Sequence, residues 1–283
     1  KDKSALEVIL TTLHSGGKFS GEAYETSSGL LGVGLSVVNA LADRLTVEVA
    51  RDKKIWRQTY QRGVPDGPLK DAGAVRNRRG TNVNFHPDPK IFGPRNHFKP
   101  ATLYRMARSK AYLFRGVEIR WTCDEKLLTA GDDTPAKGTL HFPGGLSDYL
   151  VNALGERKTI TPQSFAGQSK MNGGSGKVEW AVAWPVDEDP FLNSYCNTVP
   201  TPLGGTHELG LRGALTKGLR AYGELVGNKQ SAKLTGDDVV GSTLAMLSVF
   251  IVDPQFQGQT KEKLANRETQ KLLSSFSRDS FEI

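Results

Sequence analysis

Three glycines run straight into a helical pattern in Gly29-Leu30-Leu31-Gly32-Val33-Gly34, which Leu35, Val38, Leu41 and Ala42 continue. Backbone N–H groups approach a ligand closely at glycine, and a helix N-terminus carries positive partial charge, so together they suit a phosphate. The spacing is G-x-x-G-x-G without a preceding strand, unlike a dinucleotide fold, and no Gly-Lys-Ser/Thr triplet makes it a Walker loop. A flexible turn before a helix uses the same residues. Lys18, in Gly16-Gly17-Lys18-Phe19, lies upstream in the same glycine-rich stretch. It could close over a nucleotide as part of a lid, or remain a solvated loop lysine. Lys261, in Gln259-Thr260-Lys261, follows a buried apolar strand and reads as standing at a helix start. Arg212, Lys217 and Arg220 lie on or beside the helix face opposite Leu211, Leu215, Leu219, Tyr222 and Val226. That basic face could meet DNA, or be a solvated face partly neutralised by Glu224.

The elements that must position these residues are legible in outline. Ser4 and Glu7 form a capping box, and Leu6, Ile9, Leu10 and Leu13 carry a helix to about His14. Leu45-Thr-Val47-Glu-Val49 alternates as a half-buried strand. Further strands are expected near Ile55–Gln61, Thr81–Phe85 and Val117–Trp121, with a helix near Ala101–Leu113. Pro162 and the Gly167–Gly176 stretch read as punctuation before a second sheet. Val178, Trp180, Val182 and Trp184 alternate in that sheet, and Tyr195–Val199 could pair with them across the Asp187–Asp189 turn. Thr243–Val252 is almost continuously apolar, as a strand buried on both faces is. A last helix is expected from about Glu262 to Phe276. The class is α+β, with a division near 155/156.

Composition excludes several classes. The 283 residues carry 37 Lys and Arg against 30 Asp and Glu, a net charge of +7, with 37% hydrophobic residues. That is enough apolar material for a core, which excludes wholesale disorder. No apolar run is long enough to span a membrane. Two cysteines, Cys123 and Cys196, cannot build a disulfide framework, and no Cys/His cluster has zinc spacing. The opening Lys1-Asp-Lys-Ser4 is neither an initiator Met nor a signal region, which suggests a fragment. The basic excess is compatible with a nucleic-acid partner without requiring one.

Four stretches together resemble one family. They are Leu10-Thr-Thr-Leu-His-Ser-Gly-Gly-Lys-Phe19, Ser28-Gly-Leu-Leu-Gly-Val-Gly-Leu-Ser-Val-Val-Asn-Ala40, Gly204-Gly-Thr-His207 and Asp253-Pro-Gln-Phe-Gln-Gly-Gln-Thr-Lys261. In this order, and at nearly this spacing, they resemble the ATPase subunit of bacterial type II topoisomerases. The Lys-Asp-Lys-Ser opening and the Gln-Phe-Gln-Gly-Gln run are more similar to the topoisomerase IV branch than to the gyrase branch. The resemblance implies a partial GHKL-type (Bergerat) ATPase domain over residues 1–155 and an α+β transducer domain over 156–283. Lys18 and Gly29 to Gly34 would hold the phosphates of ATP, Tyr24 would contact the adenine, and Thr81 would support it through water. Arg57 would sit at the rim of the site, while Gln259 and Lys261 would complete the γ-phosphate contacts from the transducer.

The resemblance further implies Mg²⁺ with the nucleotide, a homodimer formed on ATP binding, and DNA as the captured substrate. A DNA-cleaving A-type subunit would be the partner, in the bacterial cytoplasm. The chain departs from the family pattern at Ser28 and Leu31, where a Gly and a His are usual. The family's general-base Glu, Mg²⁺-ligand Asn and adenine-reading Asp belong to a segment upstream of Lys1. This chain by itself is therefore expected not to hydrolyse ATP appreciably. A non-catalytic nucleotide- or DNA-binding scaffold is the alternative. Asp132-Asp133 and Asp237-Asp238 follow glycines and are expected at turns or caps rather than in catalysis.

Overall fold

The computed structural model describes residues 3–15, 32–95, 97–129, 131, 133–170, 176–187, 189–258 and 260–275. They form two compact units, one up to Lys99 and one from Pro100 onward.

In the first unit, helices α1 (Ala5–Thr11) and α2 (Gly34–Ala40) are followed by strands β1 (Ala42–Arg51), β2 (Lys54–Gln61), β3 (Val64–Pro65), β4 (Lys70–Ala74) and β5 (Gly80–Pro87), then the short α3 (Pro89–Phe92). Ser4 caps α1 by accepting from the Glu7 amide at 3.1 Å. The strands form an antiparallel sheet in the order β3-β2-β1-β5, with β4 also pairing β2. Asp52 and Lys53 turn β1 into β2 with φ of 53° and 60°, the left-handed conformation that matches strand twist in a two-residue hairpin. Leu45, Val47 and Tyr60 pack with Leu10 and Ala42 against Leu6 and Val38. Tyr60 donates to Gln58 at 2.8 Å, and Gln58 donates to Glu7 at 2.9 Å, which ties the sheet to α1.

The second unit contains α4 (Pro100–Leu113), the antiparallel pair β6 (Glu118–Thr122) and β7 (Lys137–His141), and α5 (Leu146–Leu154). Then come β8 (Phe165–Lys170), β9 (Gly176–Ala183), β10 (Phe191–Cys196), β11 (Val199–Pro200), α6 (Thr206–Leu225) and α7 (Gly236–Val240). It ends with β12 (Leu244–Ile251), β13 (Phe256–Gln257), β14 (Lys263–Leu264) and α8 (Arg267–Ser275). The main sheet runs β11-β10-β12-β9-β8, with β10 and β12 parallel and the other pairs antiparallel. One face packs Val178, Trp180, Val182, Leu247 and Val249 against Leu211 and Leu215 of α6 and Leu273 of α8. The other packs Ala181, Ala183, Tyr195 and Met246 against Tyr112 and Leu113 of α4 and Leu146 and Leu150 of α5. Every residue of β12 is buried, as its apolar run requires.

Three expectations change. Tyr195–Val199 does not pair with β9: β12 lies between β9 and β10, because a long-range parallel pairing with Phe191–Cys196 displaces the local hairpin. Gly167 lies inside β8 rather than in a loop, where a Cβ would meet the Trp180 ring carbon Cζ2 at 2.6 Å, so glycine admits the indole. The last helix starts at Arg267, since Lys263–Leu264 is drawn into β14. The compact units meet in sequence at Lys99/Pro100, because α4 and α5 cover the second sheet.

Candidate functional site

Gly32 has φ of 59°, a left-handed turn that favours glycine, and Val33 then opens α2 with no side-chain cap. The Val33 carbonyl accepts from the Val37 amide and the Ser36 hydroxyl, each at 2.9 Å. Among the described residues no side chain accepts from the amides of this first turn, the condition under which a helix entry takes an anion. Asn39, fully buried, holds α2 to α1 by donating to the Leu10 carbonyl at 3.0 Å. Lys18, Tyr24, Gly29, Leu30, Leu31 and Gln259 lie outside the described residues.

Register separates two further candidates. Thr81 lies opposite Val49, which lies opposite Trp56, so these three share one face of the first sheet. Arg57 lies opposite Glu48, which lies opposite Asn82, on the other face. There Arg57 Nε donates to Glu48 Oε1 at 2.9 Å and Arg78 to Glu48 Oε2 at 3.0 Å. The Arg57 guanidinium, then that of Arg78, holds the Glu48 carboxyl below the usual carboxylate range. Arg57 also lines a cavity of about 440 Å³ with Arg44, Gln58, Asp66 and Lys70. Sequence reasoning missed Glu48 and Arg78; the first was visible as the polar member of the Leu45–Val49 alternation.

In the second unit the chain leaves β12 and forms the β13–β14 hairpin, pairing Phe256 with Leu264 and Gln257 with Lys263. Lys261 therefore sits in the hairpin loop, not at a helix start. Its φ is 59°, an uncommon conformation for a side chain of this size, and its amide reaches back to the Gly258 carbonyl at 3.4 Å. Beside the hairpin, the Gly204-Gly-Thr-His207 motif closes into the core. His207 is 0% exposed, and its Nε2 meets Thr201 Oγ1 at 2.9 Å. Thr201 Oγ1 meets Ser194 Oγ at 2.6 Å. Burial pushes the imidazole pKa down to about 4, which leaves the ring neutral at pH 7.

The basic residues of α6 are largely committed within the chain. Arg212 pairs with Asp237 at 2.5 Å, and Arg220 donates to the Leu234 carbonyl. Lys217 is exposed. Leu211 and Leu215 are buried as expected, whereas Tyr222 is 60% and Val226 56% exposed. The second carboxylate pair behaves as a cap: Asp238 and Thr235 form a reciprocal capping box at α7. Among the described residues no group of three His, Cys, Asp or Glu side chains could hold a metal ion, and no helix is long and apolar enough to cross a membrane.

Comparison with known proteins places these features in a family. Residues 145–283 match the family model described as DNA gyrase B. The B subunit of DNA topoisomerase 4 from Bartonella bacilliformis is 54% identical over 281 residues, 99% of this chain and 40% of that protein. Its counterpart from Caulobacter vibrioides is 55% identical over 285 residues, 99% of this chain and 41% of that protein. The solved topoisomerase IV ATP-binding domain of Francisella tularensis, in complex with a small-molecule inhibitor, superposes with a TM-score of 0.71 at 31% identity. It spans 97% of this chain and 70% of that one. The chain belongs to the B-subunit family of bacterial type II topoisomerases. The 43K ATPase domain of Thermus thermophilus gyrase B shares the fold at a TM-score of 0.75 and 28% identity, over 98% of this chain and 68% of that one. The high identities to topoisomerase IV proteins bear out the expected branch of the family. The chain spans about two fifths of the length of these curated relatives.

Proposed function

We propose that this chain is the ATP-binding and signal-transducing portion of a topoisomerase IV B-type protein. In the complete enzyme it would close as a dimer on ATP, capture a DNA segment and pass it through a break made by the A-type subunit, in the bacterial cytoplasm. Membership of the family and the likeness to a solved ATP-binding domain support the reading. The observation that carries it is Lys261, half-buried in the loop of the β13–β14 hairpin in a left-handed backbone conformation. A lysine meant to sense one phosphate needs that rigidity, because a free side chain loses ordering entropy on binding.

The division of labour would be a Bergerat-type ATPase part over residues 1–155 and a transducer over 156–283. The uncapped entry of α2 after Gly32 fits a phosphate oxygen. Lys18 and Gly29 to Gly34 would hold the phosphates, Tyr24 and Thr81 would serve the adenine, and Gln259 and Lys261 would meet the γ-phosphate. Arg57 would stay a rim residue, approaching from the face opposite Thr81. Bound ATP would supply a terminal phosphate whose charge the lysines neutralise, with positioning and electrostatics carrying hydrolysis. Magnesium would accompany the nucleotide; the described residues offer it no ligand cluster, so none is assigned.

On α6 the DNA-contact role would fall mainly to Lys217, since Arg212 and Arg220 are bonded within the chain. The test is the association state of the full-length protein in analytical ultracentrifugation. A non-hydrolysable triphosphate analogue should convert it to dimer while ADP leaves it unchanged. An identical state with both nucleotides would overturn the clamp reading.

A further inference from the structure

The β13–β14 hairpin has only two residue pairs, too few to hold its own loop in place. The Ala265 amide closes its base by donating to the Gln255 carbonyl at 2.8 Å, and further support comes from the turn before α6. The Leu264 amide donates to the Gly204 carbonyl at 3.1 Å, and the Leu203 amide donates to the Glu262 carbonyl at 3.0 Å. Gly205 forms a parallel bridge with Leu264, whose side chain is 1% exposed in the core. At Gly205, with φ of 146°, an added Cβ would lie 2.4 Å from the Leu264 carbonyl oxygen, 2.6 Å from its nitrogen and 2.9 Å from its Cα. All three are backbone atoms, so no side chain can swing aside to make room. Gly205 is also the N-cap of α6, the helix that buries His207, Leu211 and Leu215.

We propose that Gly205 is a positioning residue for Lys261: its bare backbone lets β14 lie directly on the turn before α6, and so fixes the lysine three residues upstream of Leu264. This rests on reading Lys261 as the γ-phosphate lysine. The geometry explains how Lys261 keeps its left-handed φ, because the chain is tied at Glu262 and Leu264 immediately after it. A side chain at 205 forces β14 outward, releases Lys261 and removes its preorganisation. The loss falls on a ligand that bears a γ-phosphate.

The experiment compares the full-length protein with Gly205→Ala, Lys261→Ala and the double variant, measuring affinity for a non-hydrolysable ATP analogue and for ADP. Gly205→Ala should weaken the analogue roughly tenfold and ADP less than about twofold, and should add almost nothing on top of Lys261→Ala. Equal weakening of both nucleotides, or full additivity with Lys261→Ala, overturns the proposal and leaves Gly205 a purely structural glycine. A Lys261→Ala variant that weakens both nucleotides alike overturns the γ-phosphate reading itself, and this inference with it. Should Gly205→Ala not fold, amide hydrogen exchange in the unmodified protein decides. Protection of Leu203 and Leu264 should rise together with the triphosphate analogue and not with ADP; no difference between the nucleotides overturns the proposal.

Discussion

His207 shows how much of this family's signature serves the core rather than the ligand. Its ring is wholly buried, bonded through Nε2 to Thr201, and its pKa is pushed down by burial to about 4. Well above pH 6.5 the ring is neutral in both folded and unfolded chains, so this contribution to stability is complete there. As pH falls from about 6.5 towards 4, the unfolded chain takes up a proton that the folded one refuses, and stability is lost by roughly 3 kcal/mol. Burial raises the neighbouring Glu208 carboxyl pKa, which opposes part of that loss at the acid end. The urea midpoint should therefore drop between pH 7 and pH 4.5, and His207→Gln should flatten the dependence; an unchanged slope in the variant would refute the assignment. The motif was legible as a family signature, but nothing in Gly-Gly-Thr-His says that its imidazole points inward. That depends on Ser194 and Thr201, residues met only when β10 and the turn before α6 are folded together.

The packing of β9 explains which elements could be read and which could not. Val178, Trp180 and Val182 announce one apolar face, and the residues between them include Glu179, which suggests solvent on the other. That face is covered instead by α4 and α5, because Ala181 and Ala183 are small and Glu179 is neutralised in place. Glu179, 3% exposed, accepts from Arg115 Nε at 3.0 Å and from the Leu146 amide at the start of α5 at 3.2 Å. Arg115→Met should leave a buried carboxylate without its counter-ion and cost about 3 kcal/mol or more. The double replacement Arg115→Met with Glu179→Leu should recover much of it. Urea unfolding of the three proteins checks this, and a single variant as stable as the parent would contradict it. Local pattern was sufficient for β1, β2, β5 and α4, whose pairing or amphipathic face lies close in sequence. It failed for the neighbours of β9 and β10, since the intruding β12 arrives from some fifty residues downstream.

At the scale of the molecule, the candidate residues divide between the two units: Gly32 to Gly34, Arg57 and Thr81 belong to the first, and Lys261 to the second. No periodicity or spacing joins residues so far apart; only the resemblance to a family does, and the identities to topoisomerase IV proteins now establish that family. The physics adds what the resemblance lacked. Arg57 and Thr81 lie on opposite faces, two of the three basic residues of α6 are spent on the chain itself, and Lys261 is held by a hairpin rather than a helix. The central claim is that Lys261 reports the γ-phosphate, and the most direct measurement is nucleotide affinity of the full-length protein with and without Lys261→Ala. Loss of one charge-assisted contact, ~1.5–3 kcal/mol, should weaken a non-hydrolysable ATP analogue on the order of ten- to a hundredfold. ADP, which lacks that phosphate, should bind the variant almost as it binds the parent. Equal loss for both nucleotides would contradict the account.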